Sequence, residues 1–147
     1  RVEAGFKKML KNDASTLKEF FGDNLNGSNN HAMFSSYSSW LFQALGGITV
    51  AEEAVGADVI LISPSFTDTI NFVDCWHQTI RGRIECRWRR YKKGIELVIK
   101  VPFNLKKCTL KLPKVYQLNK QLPAPIDCDT YHHFYDITDA GEIKVLL

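Results

Sequence analysis

The spacing of apolar residues changes between about Gly47 and Gly56, and this change constrains the fold more than any other feature. Before it, apolar side chains recur at helical intervals and form one stripe of a helix. The stripe consists of Met33, Phe34, Tyr37, Trp40, Leu41, Ala44 and Leu45. After it, apolar and polar residues alternate, as in a half-buried β-strand. The chain is therefore expected to be a helical piece followed by an all-β domain.

The helical piece is expected to contain two helices joined by a polar loop over residues 22–30. The first is marked by Val2, Phe6, Met9 and Leu10, and the second by the stripe. We expect the stripe to be buried, with Trp40 in a core, and Gly46-Gly47 to end the helix in a left-handed conformation. Two helices cannot bury two apolar faces alone. They should pack on the β part or on protein absent from this chain.

The second half contains several short strands separated by turn signals. The alternating apolar positions are Val59 and Leu61; Ile84, Cys86 and Trp88; Ile95, Leu97, Ile99, Val101 and Phe103; Leu110 and Leu112; and Ile143, Val145 and Leu147. Turn residues lie between these runs at Arg81-Gly82, Lys93-Gly94, Pro113 and Ala140-Gly141. This spacing predicts an antiparallel β-sandwich. We place the helical piece at residues 1–52 and the β-sandwich at residues 53–147.

Composition excludes several classes of function. The chain has 147 residues, 45% of them hydrophobic, and a net charge of +3, so a packed core is expected and a nucleic-acid partner is not. No run of residues is apolar enough for a transmembrane helix. None of the four cysteines forms a C-x-x-C pair, so no metal site is expected, and no residue pattern indicates a cofactor. The opening Arg1-Val2-Glu3-Ala4, without an initiating Met, suggests a fragment of a longer protein.

Two places could carry chemistry. Glu19 lies among apolar and aromatic residues, a setting that suits a carboxyl group to acid–base chemistry at neutral pH. Composition alone favours the alternative that it is a surface or capping glutamate. Asn30-His31 precedes the second helix, where loop side chains can project into a cleft and bind sugar hydroxyls. The alternative is that Asn30 caps the helix and His31 simply follows it.

Other histidines and aromatics have weaker claims. His132 and His133 are adjacent in one predicted strand and would point to opposite faces, which is poor geometry for a shared metal ion. We expect both to be structural or exposed. Trp88 is in register with an apolar face and should be in the core. Exposed aromatics such as Trp76 or Tyr91 would instead support a second hypothesis, a non-catalytic β-sandwich module that binds carbohydrate or has only a structural role.

The order of motifs resembles one enzyme family. S-T-L-K-E, then S-N-N-H, then a helix ending W-L-F-Q-A-L-G-G-I is similar to T-T-x-W-E, S-L-N-H and W-L-x-x-x-L-x-G-I of family 78-type bacterial α-L-rhamnosidases. G-A-D-V-I-L-I-S-P, G-R-I-E-C-R-W and I-E-L-V-I-K-V-P-F-N resemble their C-terminal β-sandwich. The resemblance covers nearly all of the chain from about Ala14 onward. It implies the last helices of an (α/α)6 catalytic barrel followed by that sandwich.

The resemblance also implies roles for individual residues. The family removes terminal α-L-rhamnosyl groups with inversion, and Glu19 matches its general base, while His31 with Asn30 matches the residues that bind rhamnose. The general acid belongs to a family segment upstream of this chain, so the isolated chain is expected to be inactive. Lys18 stands where the family has Trp, which removes a wall of the pocket, and Ser15 stands where it has Thr.

The partners implied are a rhamnose-containing glycoside or polysaccharide and the remainder of the catalytic domain. The compartment is left open by the sequence. A periplasmic or extracellular location is favoured if the parent protein degrades polysaccharide.

Overall fold

The structure is a computed structural model that describes residues 19, 27, 28, 30, 31, 36–116, 122–138 and 141–147. The chain divides into two compact units, Arg1–Trp40 and Leu41–Leu147. The predicted first helix lies outside the described residues. Nearly everything described belongs to the second unit, which contains the predicted β domain.

The second predicted helix is short and ends where the glycines predict. Helix α1 spans Tyr37–Leu41 and continues as a π-helical turn over Phe42–Gly46. Gly47 has a left-handed φ of 72°, and its N–H donates to the Phe42 carbonyl oxygen at 3.0 Å. A Cβ at Gly47 would collide with the backbone of Ser63, so this position needs glycine for two reasons. The predicted left-handed stop is confirmed.

The part of the apolar stripe that the structure describes, from Trp40 to Leu45, is not buried as predicted. Trp40 is 64% exposed, and Leu41 and Phe42 are also exposed, whereas Ala44 and Leu45 are half-buried. The prediction that Trp40 lies in a core is wrong for this chain. Helical spacing shows which side chains share a face, but it cannot show whether protein is present to cover that face.

Nine strands form two sheets among the described residues. They are β1 (Ile48–Val50), β2 (Val59–Ile62), β3 (Phe72–Thr79), β4 (Gly82–Tyr91), β5 (Gly94–Lys100), β6 (Lys107–Pro113), β7 (Asp127–Cys128), β8 (His132–Asp136) and β9 (Glu142–Leu146). The five-stranded sheet has the order β1-β2-β6-β8-β7, and the four-stranded sheet has the order β3-β4-β5-β9. Strand β1, before residue 53, pairs with β2.

The inner faces of the two sheets share one buried core, the arrangement of a β-sandwich. From the four-stranded sheet, the core takes Ile84, Cys86, Trp88, Ile95, Leu97, Ile99 and Val145; from the five-stranded sheet, it takes Ile60, Ile62, Cys108, Leu110, Leu112 and Tyr135. The alternation predicted for β4, β5, β6 and β9 is confirmed, because side chains alternate across the pleated sheet. The face predicted for β2 was wrong, because Ile60 and Ile62 enter the core while Leu61 is only half-buried.

Two details differ from the sequence-based expectation. Strands β2 and β6 pair in parallel, with Val59 opposite Lys107, in an otherwise antiparallel fold. Phe103, expected to continue the inward face of β5, is 78% exposed, because β5 ends at Lys100 and the chain turns before β6. Alternation of side chains is the same in parallel and antiparallel pairs, so it could not reveal the first difference.

Trp88 connects the sandwich core to the π-helical turn. Its side chain is 2% exposed, and its Nε1–H donates to the Leu45 carbonyl oxygen at 3.1 Å. A buried indole N–H needs such a partner. The turn is therefore held to the four-stranded sheet by a hydrogen bond as well as by packing, and the predicted core position of Trp88 is confirmed.

All four cysteines are free, and only Cys128 is exposed. Burial, with a smaller contribution from the nearby Asp136, raises the pKa of the Cys108 thiol to about 12. Cys86 is also fully buried, as its alternation with Ile84 and Trp88 predicts. Buried neutral thiols of this kind act as small apolar side chains. Within the described residues, no helix has the length and hydropathy needed to cross a membrane.

Candidate functional site

Glu19 is joined to a segment nine residues further along the chain. Its backbone N–H donates to the Ser28 carbonyl oxygen at 2.9 Å, and the Ser28 N–H donates to Glu19 Oε2 at 3.0 Å. The residue is half-buried. This reciprocal pair fixes both the backbone and the carboxylate of Glu19, so the carboxylate is oriented rather than free to rotate in solvent.

Ser28 also organises the residues after it. Its hydroxyl donates to the Asn30 carbonyl oxygen at 3.0 Å, and the Asn30 N–H is 3.2 Å from Ser28 Oγ. Glu19, Ser28 and Asn30 are thus linked through one serine. Asn30 is exposed and His31 is half-buried. Glu19 and the Asn30 segment, both singled out from the sequence, are brought together here.

What these residues can do chemically follows from their types. An oriented carboxylate can accept a proton from a water molecule, and an exposed amide and a nearby imidazole can donate and accept hydrogen bonds from hydroxyl groups. Ser15, Lys18 and residues 32–35 lie outside the described residues. The alternative that Asn30 caps the helix therefore stays a prediction.

A second group of polar residues lies in the β domain, at the start of β8. Asp129 Oδ1 and Oδ2 are 3.0 and 3.1 Å from His132 Nδ1. Asp129 Oδ1 also accepts the backbone N–H groups of Tyr131 and His132, at 2.7 and 2.6 Å. Lys111 Nζ lies 3.7 Å from Asp129 Oδ2. His132 thus has one ring nitrogen committed to a carboxylate.

The titration of Asp129 reflects these contacts. Partial desolvation raises its pKa, but the hydrogen bonds from Tyr131 N–H, from the His132 ring and from His132 N–H outweigh it, and the pKa falls from 3.8 to about 2. The carboxylate is therefore ionised throughout the neutral range. A negative carboxylate at Nδ1 holds the neutral imidazole in the tautomer that carries its proton on that nitrogen.

We predict that Asp129→Asn removes a pH-dependent contribution to stability. Because the folded-state pKa is depressed, the contribution is fully present above about pH 4 and is lost as the pH falls towards 2. The free energy of unfolding of the two proteins should therefore differ most near neutral pH and converge between pH 4 and 2. Asp127→Asn, at a nearby exposed residue in β7, is the matched control. A constant difference across the acid range would contradict this assignment.

His132 borders a concavity that we call the end cleft. It is formed by the extended segment 63–67 after β2, the turn 113–116 after β6, and His132. Its volume is about 300 Å³. The Phe66 ring lies edge to face on Tyr116 at 5.2 Å and on Trp88 at 5.5 Å. One wall of the end cleft is thus anchored to the core.

A second concavity lies on the outer face of the four-stranded sheet, and we call it the sheet groove. Its volume is about 370 Å³. Six charged residues line it, namely Asp74, Arg87, Arg89, Glu96, Glu142 and Lys144. Lys144 Nζ lies 2.7 Å from Glu96 Oε2, and Lys100 Nζ lies 2.8 Å from Glu142 Oε2. Much of its charge is paired within the face.

The exposed aromatics of the second hypothesis lie on the same sheet. Trp76 is 48% exposed and Tyr91 is also exposed. The Arg83 guanidinium carbon lies 4.5 Å from the Trp76 ring centroid, so one face of that indole already has a cation over it. The other face is the one that could stack on a sugar.

The sequence interpretation of His132 and His133 was incomplete. Both are half-buried, which agrees with a structural role, but the contact between His132 and Asp129 was not anticipated. An Asp three residues before a His across a turn is a usable signal, because Asp side chains accept N–H groups two and three residues later. The end cleft itself had no such signal, since its three parts are far apart in the sequence.

Comparison with known proteins finds similarity to one part of alpha-L-rhamnosidases. A family model described as the bacterial alpha-L-rhamnosidase C-terminal domain matches residues 50–123. The chain is 28% identical to an alpha-L-rhamnosidase of Formosa agariphila over 75 residues. That alignment covers 51% of the chain and 8% of the Formosa protein. The chain is also 28% identical to an alpha-L-rhamnosidase of an Alteromonas species over 90 residues. That alignment covers 61% of the chain and 10% of the Alteromonas protein.

Solved structures show the same fold. An alpha-L-rhamnosidase from Dictyoglumus thermophilum superposes with a TM-score of 0.79 at 20% identity and covers 96% of the chain and 17% of its own. One from Streptomyces avermitilis, complexed with L-rhamnose, gives 0.74 at 16% identity and covers 91% of the chain and 14% of its own. The chain therefore spans only a small part of the length of each of these relatives.

Proposed function

Because the chain belongs to the bacterial alpha-L-rhamnosidase C-terminal domain family, we propose that it is the C-terminal part of a glycosidase that removes terminal α-L-rhamnosyl groups with inversion. In this proposal Glu19 is the general base, and Asn30 with His31 binds rhamnose hydroxyls. The observation that carries the assignment of the base is the hydrogen-bonded link between Glu19 and Ser28. It orients the carboxylate beside the segment that would hold the sugar.

The chemistry of inversion sets what such a site needs. A general base deprotonates a water molecule that attacks the anomeric carbon, while a general acid on the opposite face protonates the departing oxygen. The two carboxyl groups are about 6.5–9.5 Å apart in inverting enzymes, which leaves room for the water. Glu19 supplies one of them here. The resemblance puts the acid in a segment upstream of Arg1, so the proposal needs a longer parent protein.

The exposed apolar residues of the helix support this need. Trp40, Leu41 and Phe42 are consecutive, large and exposed. Contiguous apolar side chains at a surface mark places where other protein packs. We propose that residues 1–52 are the last part of an (α/α)6 barrel, that residues 53–147 are the β domain that follows it, and that the remainder of the barrel covers these side chains. In this proposal the two parts join at β1, which lies within residues 1–52 and pairs with β2 of the β domain.

We predict that the isolated chain is inactive and that the full-length parent is active. Inversion needs both carboxyl groups in place, and the chain would bring only the base. The measurement is the rate at which equal molar amounts of the two proteins release the phenol from an aryl α-L-rhamnoside. Turnover by the 147-residue chain alone would overturn the proposal that the general acid lies outside it.

A second candidate function is favoured by the exposure of Trp76 and Tyr91. In this alternative the β-sandwich is a non-catalytic module that binds carbohydrate, and the contribution of Glu19 is structural. Titration of the full chain with a rhamnoside discriminates between them. Saturable changes in the NMR chemical shifts of Trp76 or Tyr91, together with no hydrolysis by the parent protein, would favour the carbohydrate-binding module over the enzyme.

A further inference from the structure

We propose that the end cleft binds one neutral sugar ring of a rhamnose-containing glycan, as a site additional to the one around Glu19. The inference deepens the proposed function and rests on it for the class of glycan. The argument comes from the shape, the lining and the hydrogen-bonding groups of the end cleft.

The end cleft has a polar group held in one orientation at its edge. His132 Nδ1 is 3.0 Å from Asp129 Oδ1, and the same carboxylate accepts the Tyr131 and His132 backbone N–H groups. The imidazole is therefore positioned by a fixed acceptor, as ligand-binding histidines commonly are. Because Nδ1 is committed to Asp129, Nε2 is the ring nitrogen that can hydrogen-bond to a molecule in the end cleft.

The aromatic side of the end cleft is rigid. Tyr116 packs edge to face on Phe66, and Phe66 packs in the same way on the buried Trp88. Such chains of aromatic contacts hold ring orientations in place. A pyranose ring has an apolar C–H face and a rim of hydroxyl groups. The anchored Tyr116 ring suits the C–H face of the sugar. The oriented His132 imidazole and the serine and threonine hydroxyls suit its hydroxyl groups.

The lining also indicates that the ligand is neutral. The described residues around the end cleft include three hydroxyl side chains in segment 63–67, two prolines, Phe66, Val115 and Tyr116. None of these lining residues is an aspartate, glutamate, lysine or arginine. The sheet groove differs, because its charged residues pair with one another. The cations next to the walls are already paired, Arg90 with Asp68 and Lys111 with Asp129. An ionised ligand would therefore meet no unpaired lysine or arginine among the lining residues, and Asp129 behind His132 would repel an anion.

The size of the end cleft limits the ligand. Its volume of about 300 Å³ is at the lower end of the range for small-molecule sites. That space suits one ring rather than an extended oligosaccharide. The ligand would therefore be a single unit of a longer glycan, held weakly, as expected for a site open to solvent.

The test is an NMR titration of the isotope-labelled full chain with methyl α-L-rhamnopyranoside. We expect saturable shifts in the millimolar range at the backbone amides of Ser65, Thr67, Tyr116 and His132. His132→Ala should weaken binding about fivefold to tenfold, the effect of losing one hydrogen bond to the ligand. His77→Ala, an exposed histidine on β3 outside the end cleft, should leave binding unchanged. Tyr116→Phe, which keeps the ring and removes the hydroxyl, is the second variant.

Three outcomes would overturn the proposal. They are the absence of saturable shifts, shifts confined to Trp76 and Tyr91, and equal binding of glucuronate, a sugar acid that the uncharged lining should disfavour. Failure of the proposed function is distinguishable from these. A parent protein with no rhamnosidase activity, combined with saturable binding at the end cleft, removes the enzyme and keeps the site. An active parent protein with no binding at the end cleft would keep the proposed enzyme and remove the end cleft as a sugar site.

Discussion

Full-length protein carrying Glu19→Gln is expected to lose rhamnoside hydrolysis by about a hundredfold to ten thousandfold in kcat, the contribution typical of a general base. Glutamine has nearly the same shape, and its amide oxygen can still accept the Ser28 N–H that now reaches Glu19 Oε2. The fold and the position of the side chain should survive, so KM should change little. The loss should be confined to deprotonation of the attacking water.

The control for this variant is Glu53→Gln, which makes the same chemical change at an exposed glutamate in the turn after β1. It should keep wild-type kcat. The measurement is initial rates on an aryl α-L-rhamnoside over a range of substrate concentrations and pH. Full activity of the Glu19→Gln protein would remove Glu19 as the base and leave its link to Ser28 as a structural contact.

The second large effect is expected in the core. Trp88→Ala should lower the free energy of unfolding by about 3–5 kcal/mol, the usual cost of removing a large buried aromatic side chain. The change opens a cavity beneath Phe66, whose ring contacts Trp88. It also leaves the half-buried Leu45 carbonyl without the Nε1–H that now reaches it at 3.1 Å. Both consequences act in the same direction.

Trp76→Ala is the matched control, on the neighbouring strand of the same hairpin. Its indole is 48% exposed, and its contact with Arg83 is worth about 0.5–1 kcal/mol at an exposed site. Urea unfolding followed by circular dichroism would measure both variants. Equal losses for the two tryptophans would contradict the assignment of Trp88 to the core and of Trp76 to the surface.

The β domain was largely predictable because its physics is local. Ile84, Cys86 and Trp88 alternate with charged residues along one strand, and a strand with one buried face requires this period. The hairpin turn at Arg81-Gly82 was likewise marked, and Thr79 lies directly opposite Gly82. Pairing between distant strands has no comparable signal, so the parallel contact of β2 with β6 could not be read from the sequence.

The helical part shows a different limit. The spacing of Trp40 with Leu41 and Ala44 indicates one face of the helix, but spacing cannot show what covers that face. Phe103 failed for a related reason, because alternation continued in the sequence after the strand had ended at Lys100. In both cases the local pattern carried no information about which residues would cover the side chain.

The candidate sites divide in the same way. Glu19 and Asn30 were singled out from local sequence and from family resemblance, but their link through Ser28 depends on how the intervening loop folds. The end cleft was not predicted, since Phe66, Tyr116 and His132 come together only when β2, β6 and β8 pair in the five-stranded sheet. The short spacing of Asp129 and His132 was the one local signal it offered.

The anomer of the first product tests most directly the proposal that this chain is part of an inverting α-L-rhamnosidase. Full-length protein would be mixed with an aryl α-L-rhamnoside, and the anomeric proton of the released sugar would be followed by NMR before mutarotation. Inversion predicts that β-L-rhamnose appears first and that the α anomer grows in later. Appearance of the α anomer first, or no release of L-rhamnose, would contradict the account.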